Sequence, residues 1–137
     1  MKFGRVMAIA LLWICVFSIA AEAQLRWGHP KPPRAGACFY REPSFSGYFF
    51  CMRAGEQEPA LPSGFNDKIS SIRVFGGAGA RVFNGANFAA PTAVFFSDVV
   101  DLRAVSLVED PRRNWNDRIS SIAVFFRRDD RWERPHR

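Results

Sequence analysis

Apolar and polar residues alternate through most of residues 37–126, with the period of two that half-buried β-strands show. The segments ACFYR and YFFCMR flank the turn-rich EPSFSG and predict a β-hairpin. Further on, ISSIRVF places Ile72 and Val74 on one face and Arg73 on the other. The glycine-rich GGAG separates it from a second hairpin-like segment, ARVFNGANFAAPTAVFF. No segment has a convincing helical period, so the pattern predicts a single all-β domain.

The start of the chain does not follow this pattern. Residues 1–23 hold a charged start, an apolar run over 6–20 and a small-residue cleavage site at 21–23, which is the composition of a secretory signal peptide. The run is too short to span a membrane, and no stop-transfer charges follow it. We therefore expect a secreted or periplasmic protein without a stable membrane anchor after cleavage. A lipoprotein signal at Cys15 is the less favoured alternative, because the bulky Ile14 precedes it.

Two further segments flank the predicted domain. Residues 24–36 hold three prolines and two glycines without apolar periodicity and predict an extended leader. Residues 127–137 form a charged C-terminal tail in which positive and negative side chains are interspersed around Trp132. This tail is either a solvated terminus or an arm that binds an acidic surface. The formal net charge of +6 is spread along the chain. Since exported proteins seldom meet nucleic acid, we expect this charge to solvate the surface and predict no nucleic-acid partner.

The cysteine count predicts a disulfide. Once the signal is removed, Cys38 and Cys51 remain, and an even count in an exported protein favours a bridge. In the first predicted hairpin Cys38 faces Cys51 if Tyr40 faces Phe49 and the turn centres near Ser44. Free thiols are the alternative.

An almost identical decapeptide occurs twice, as NDKISSIRVF from Asn66 and as NDRISSIAVF from Asn116, and only two of its ten positions differ. Asn-Asp disfavours strands, whereas the following residues alternate as a strand does. The repetition divides the domain into motif one, residues 37–75, and motif two, residues 80–126, each with several short strands.

At this point the chain resembles the βγ-crystallin family, whose Greek-key unit carries two spaced aromatics and a glycine in its first hairpin. The corresponding residues are Tyr40, Phe45 and Gly47 in motif one, then Phe83, Phe88 and Ala90 in motif two. Ala90 departs from the pattern, so a looser or differently bent second hairpin is expected, because that glycine serves a positive φ. The family's hexapeptide, with Asn or Asp twice and then Ser or Thr before Ser, is intact at 66–71 and 116–121. The resemblance implies a double Greek-key β-sandwich.

The resemblance also implies two Ca²⁺ sites, each built by both hexapeptides. The first ion would take Asp67, the backbone carbonyl of Lys68 and Ser120, and the second Asp117, the backbone carbonyl of Arg118 and Ser70. A further carbonyl would come from each hairpin turn, near residues 42–43 and 85–86, while Asn66 and Asn116 would shape the loops through local side-chain-to-backbone bonds.

Calcium prefers oxygen ligands of this kind, but each site holds one certain carboxylate. We therefore expect dissociation constants on the order of 10⁻⁵ to 10⁻³ M. The alternative is that Asn-Asp is a turn and Ser-Ser a hydroxyl pair on a strand.

Residues for catalysis are scarce. Outside the signal the two histidines, His29 and His136, lie in the leader and the tail, where neither can serve a nucleophile in the predicted domain. The glycine-rich GGAGA lacks the lysine and helix of a phosphate-binding loop. We predict that the protein is not an enzyme.

A secreted peptidase inhibitor is the second functional hypothesis, because some small exported inhibitors resemble the same fold. The distance from Phe45 to Asn66 is 21 positions and that from Phe88 to Asn116 is 28, so motif two has seven extra residues. They lie within 106–113 and could project into a protease cleft. The candidate inhibitory residues are Leu107, Val108, Glu109, Asp110, Pro111, Arg112 and Arg113.

Overall fold

The computed structural model describes residues 27–128, and almost all of its regular structure is β-strand. The strands are β1 (Gly36–Glu42), β2 (Ser46–Arg53), β3 (Gln57–Glu58), β4 (Ser71–Phe75), β5 (Ala78–Gly85), β6 (Ala89–Phe95) and β7 (Ser121–Phe126). A 3₁₀ turn spans Leu102–Ala104 between β6 and β7. Within residues 27–128 no helix is long and apolar enough to cross a membrane.

The strands form two antiparallel sheets, in the order β2-β1-β4 and β3-β7-β5-β6. Each repeat supplies most of the strands of one sheet. A short segment of each repeat also pairs with a strand in the sheet of the other repeat. Strand β3 of the first repeat pairs with β7, and Val99 of the second repeat bridges to Ile72 in β4. This exchange makes one β-sandwich of the two repeats and confirms the predicted single-domain, double Greek-key fold.

The first hairpin has the predicted register. Cys38 lies opposite Cys51 and Tyr40 opposite Phe49. The two cysteines are joined as a disulfide, and both are buried on the outer face of the first sheet beside Tyr40. A bulge between Tyr40 and Glu42 bends the hairpin at its tip.

The core lies between the sheets, where the inward residues of each alternating strand meet. Its largest fully buried side chains are Trp115, Phe39, Phe50, Ile69, Ile72, Leu102, Ile119 and Ile122. Burying each such side chain contributes about 1.5–3 kcal/mol relative to exposure. Because Ile69 and Ile119 are the fourth residues of the hexapeptides, the core holds both of these loops in place.

Two strands begin slightly before the motif bounds given by the sequence pattern. Strand β1 begins at Gly36 and β5 at Ala78, one and two residues before the predicted starts of the two motifs, because Gly36 pairs with Arg53 and Ala78 with Phe126. Part of the leader contacts the domain: the Trp27 ring lies 4.7 Å from that of Phe50, centroid to centroid. The signal peptide of residues 1–23 and most of the tail, with Trp132 and His136, lie outside the described residues.

Candidate metal centre

The two hexapeptides enter their strands through identical left-handed turns. Asp67 and Asp117 both have φ of 55°, a conformation that Asp and Asn tolerate better than most residues. The amide of Asp67 donates to the carbonyl of Ile119 at 3.0 Å, and the amide of Asp117 donates to the carbonyl of Ile69 at 3.1 Å. Each loop is therefore bonded to the other, and the two lie side by side despite their separation in sequence.

The sixth residue of each hexapeptide fixes the hairpin of its own repeat. The hydroxyl of Ser71 donates to the carbonyl of Glu42 at 2.6 Å and accepts from the amide of Phe45 at 3.0 Å. In the second repeat Ser121 donates to the carbonyl of Gly85 at 2.7 Å and accepts from the amide of Phe88 at 3.0 Å. The hairpin carbonyls of Glu42 and Gly85, close to the predicted turn carbonyls, thus each accept a hydrogen bond from a buried serine hydroxyl.

The structure brings the first pair of proposed ligand side chains together. Ser120 donates its hydroxyl to the Asp67 carboxylate at 3.1 Å, across 53 positions of sequence. Ser120 is buried, whereas Asp67 is exposed, so an ion could reach the carboxylate from solvent. The contact requires both repeats, as the predicted swap of ligands does.

Two residues of the second proposed set, Ser70 and Asp117, line one open groove together with Lys68 of the first set, whereas Arg118 is not among its lining residues. Ser70 and Asp117 share it with Glu42 and Pro43 of the first hairpin turn, which is the predicted combination of hydroxyl, carboxylate and turn. Asn116 lines the same groove, and its side-chain oxygen is buried without a hydrogen-bond partner among the described residues. A buried unpaired oxygen is costly, so a donor or a cation in this groove would satisfy it.

The asparagines do not make the predicted local bonds to the backbone within residues 27–128. Asn66 instead donates its side-chain amide to the Asp67 carboxylate at 3.4 Å. At the second loop it is Asn114 whose side-chain oxygen accepts, from the amide of Asn116 at 3.1 Å. Asn114 has no counterpart in the repeated decapeptide, so the sequence pattern gave no sign of it.

Positive side chains surround the second groove. Arg41, Lys68 and Arg103 line it together with the acidic residues Glu42 and Asp117. Arg103 is held by both oxygens of Asp101, at 2.8 Å and 3.0 Å, and this hydrogen bonding lowers the pKa of the Asp101 carboxyl. Asp101 balances the charge of Arg103, so Arg41 and Lys68 are the cations that would oppose a metal ion in this groove and weaken its affinity.

The donor set fits a hard cation held weakly. Between residues 27 and 128, no three His, Cys, Asp or Glu side chains come together as a metal-binding group. Each set has one carboxylate, one hydroxyl and nearby carbonyls, which suits calcium and water in the remaining positions better than zinc or another thiophilic metal.

The proposed inhibitory segment forms a closed loop on the surface. Ser106 and Asn114 form an isolated bridge at its base, and the amide of Leu107 donates to the carbonyl of Arg113 at 2.9 Å. Leu107 is 3% exposed and belongs to the core, so it anchors the loop and is not part of its accessible surface. Because Leu107 is buried, it cannot itself project into a protease cleft as the sequence-based hypothesis had it.

The tip of this loop is held by Asp110. Its carbonyl accepts from the amide of Arg113 at 3.0 Å, and its carboxylate accepts from the amide of Arg112 at 3.1 Å. Val108 is 88% exposed, and the Arg112 side chain is 93% exposed. The loop therefore presents an apolar and a basic side chain on a hydrogen-bonded backbone.

Comparison with protein families gives one match. A family model described as Peptidase inhibitor family I36 matches residues 30–95, which span the first repeat and the β5–β6 hairpin and end before the loop at 106–113. No curated protein matches the chain.

Comparison with solved structures gives βγ-crystallin domains. One from Flavobacterium johnsoniae is 27% identical, aligns 66% of this chain with 93% of that chain and has a TM-score of 0.53. A structure concerned with the evolution of the eye-lens βγ-crystallin fold is 26% identical over 74% of this chain and 93% of that one, with a TM-score of 0.56. A domain of Abundant Perithecial Protein from Neurospora crassa, in its Ca²⁺-bound form, is 19% identical over 70% and 93%, with a TM-score of 0.53, and is similar in fold alone.

Proposed function

Since this chain is a βγ-crystallin domain, we propose that it is an exported, non-catalytic module that binds calcium weakly at its two paired hexapeptides. The contact between Ser120 and Asp67 at 3.1 Å carries the proposal, because it joins a hydroxyl of one repeat to a carboxylate of the other. The domain of Abundant Perithecial Protein, which is similar in fold, was solved in a Ca²⁺-bound form, and the oxygen-rich ligand set makes calcium the ion to test here. The disulfide supports an oxidising compartment.

The first ion is assigned to Asp67, the carbonyl of Lys68 and Ser120. The second is assigned to Asp117, the carbonyl of Arg118 and Ser70, with the unpaired oxygen of Asn116 in the same groove. Binding to the native state alone would raise stability by mass action, about 2.7 kcal/mol at a hundredfold excess of ion over the dissociation constant. The role that follows is structural: calcium fastens the two repeats to each other.

The test is the thermal midpoint of the metal-stripped protein, titrated with Ca²⁺ and separately with Mg²⁺. Asp67→Asn and Asp117→Asn remove one carboxylate charge each and keep a residue that tolerates the left-handed backbone at φ 55°. We expect a calcium-selective rise of several degrees that shrinks in each single variant and disappears in the double variant. Glu109→Gln, on the exposed surface loop, is the matched control. An unchanged response of the double variant to calcium would refute the proposal.

Peptidase inhibition is the second candidate, favoured by the family match over residues 30–95 and by the hydrogen-bonded loop at 106–113. A loop fixed before binding loses little conformational freedom in a protease cleft, which favours affinity. The purified protein would be assayed against serine proteases and metalloproteases. Replacing residues 108–113 by a short glycine-serine linker should abolish inhibition, while Asp110→Ala, which frees the tip, should weaken it.

Two results would decide against this loop. Inhibition that survives its replacement would place the inhibitory surface outside residues 108–113, and a panel of uninhibited proteases would exclude the activity for those enzymes. Calcium-dependent stability serves as the folding control, because the loop replacement leaves both hexapeptides intact.

A further inference from the structure

The repeated decapeptides differ at only two positions, and one of them changes the outer surface of the sandwich. Arg73 in β4 corresponds to Ala123 in β7. In the first repeat the Arg73 guanidinium lies 5.1 Å from the ring centre of Phe45 and 5.5 Å from that of Phe75. The arginine thus covers the aromatic surface of its own sheet.

Ala123 leaves the equivalent surface of the second sheet open. A groove of about 220 Å³ lies there. Its lining includes Gln57, Arg81, Phe88, Ala123, Phe125 and Phe126. Phe88 and Phe125 stand at the positions that correspond to Phe45 and Phe75, so the groove occupies the place that the Arg73 side chain fills in the first repeat.

One charged side chain lines this apolar groove. Arg81 lies opposite Ala123 in the ladder, where the first repeat has Cys38 opposite Arg73. The Arg81 side chain is partly buried, and among the described residues it forms no ion pair and no side-chain hydrogen bond. An arginine of a partner would fit the aromatic rings but would be repelled by Arg81, whereas a carboxylate would complement it.

We propose that this groove binds a small hydrophobic carboxylate. Its planar or short alkyl body lies between Phe88 and Phe125 over Ala123, and its carboxylate accepts hydrogen bonds from the Arg81 guanidinium. Concave, mostly apolar pockets with a small number of polar groups, here Arg81 and Gln57, are the usual form of small-ligand sites. The groove shares no residue with the calcium ligands or with the loop at 106–113, so this inference is independent of the proposed function.

The experiment is an NMR titration of the isotopically labelled protein with 3-phenylpropionate, followed through backbone amide shifts. We expect saturable shifts centred on Arg81, Ala123 and Phe125, with a dissociation constant on the order of 1 mM for a ligand of this size. The neutral 3-phenylpropanamide should bind about tenfold more weakly, because it lacks the charged partner of the guanidinium. Absence of saturable shifts, or equal affinity for acid and amide, would overturn the proposal.

Two variants make the assignment specific. Arg81→Gln should reduce the affinity for the acid to that for the amide. Ala123→Arg rebuilds the arrangement of the first repeat and should remove binding of both compounds while the protein stays folded, as its thermal midpoint would show. Undiminished binding in Ala123→Arg would place the ligand elsewhere and refute the proposal.

The other possible occupants are recognised by the same spectra. If the full chain does not bind the acid but a chain ending at Arg128 does, residues 129–137 occupy the groove in the full chain. If the groove amides shift with protein concentration alone, the occupant is a second copy of the chain. Either result would overturn the small-molecule assignment.

Discussion

The hydroxyl of Ser120 donates to the carboxylate of Asp67 at 3.1 Å, although 53 residues separate them. Their own loops are also tied through the amide of Asp67 and the carbonyl of Ile119, at 3.0 Å. The first candidate calcium site therefore exists only when both repeats are folded against each other. An isolated repeat would lack at least one of the three proposed ligands of each site.

The serine that ends each hexapeptide should matter for stability even without metal. Ser71 and Ser121 are 0% exposed, and each hydroxyl joins a hairpin carbonyl to a hairpin amide. Ser71→Ala or Ser121→Ala leaves these backbone groups buried without a partner, at a cost of about 1–3 kcal/mol each. Urea unfolding of the calcium-free variants measures the loss. Ser63→Ala, at an exposed position, is the control, and equal stability of all three variants would contradict the prediction.

The alternation of side chains with a period of two predicted strands and one all-β domain, whereas the double Greek-key sandwich followed from the resemblance to the βγ-crystallin family. The alternation around Cys38 and Cys51 determined the register of the first hairpin, and the structure confirms it. The contacts of Trp27 with Phe50 could not be predicted, because nothing in a proline-rich leader indicates which distant surface it covers.

The candidate site was predictable only in part, because some of its residues come from distant parts of the chain. The duplicated hexapeptide and its resemblance to a known family named the side chains that the structure brings together. Lys68 was named only for its backbone carbonyl in the first set, yet it lines the groove of the second set beside Asp117. Arg41 and Arg103 arrive from other parts of the chain, and the burial of Leu107 depends on how its loop closes against the core.

The disulfide should be a main source of stability. Cys38 and Cys51 are separated by 13 positions, so the bridge closes a loop whose constraint contributes about 3 kcal/mol in the chain-entropy model. A Cys38→Ala, Cys51→Ala double variant should therefore melt roughly 10–20 °C below the parent protein. Because both cysteines are 0% exposed, the double variant is a cleaner measure than added reductant. Reductant should lower the melting temperature of the parent protein but not that of the double variant. If reductant lowered the melting temperature of both by a similar amount, the disulfide would not be the source of the lost stability.

The two hairpins should respond in different ways to exchange of glycine and alanine. Gly47 has φ of 78°, and an added Cβ would lie 2.7 Å from Cγ of Glu42. Gly47→Ala should therefore cost about 1–2 kcal/mol. Ala90 stands at the equivalent position but is not among the residues with positive φ, so Ala90→Gly should give no stabilisation and cost about 0.5–1 kcal/mol. Urea unfolding compares the two, and a stabilising Ala90→Gly would show that the second hairpin also requires the family's glycine.

Tyr40 should make the stability of the domain decline in alkali. The side chain is 7% exposed, and burial raises the pKa of its hydroxyl above the ordinary 10.0, while the nearby Arg73 partly opposes that rise. The folded protein therefore keeps this proton at pH values where the unfolded chain has lost it. The resulting stability is fully present below about pH 10 and is lost as the pH rises from there through the folded-state pKa.

Tyr40→Phe removes the titrating group and keeps the ring that lies 5.1 Å from Phe49 and 5.8 Å from Phe45. The free energy of unfolding, measured in urea from pH 8 to 11, should fall less steeply in the variant than in the parent protein. Tyr48→Phe, at a 54% exposed position on the same hairpin, should keep the parent's alkaline decline. If Tyr40→Phe declines as steeply as the parent while Tyr48→Phe does not, the alkaline sensitivity arises from Tyr48, and the buried hydroxyl of Tyr40 is not its source.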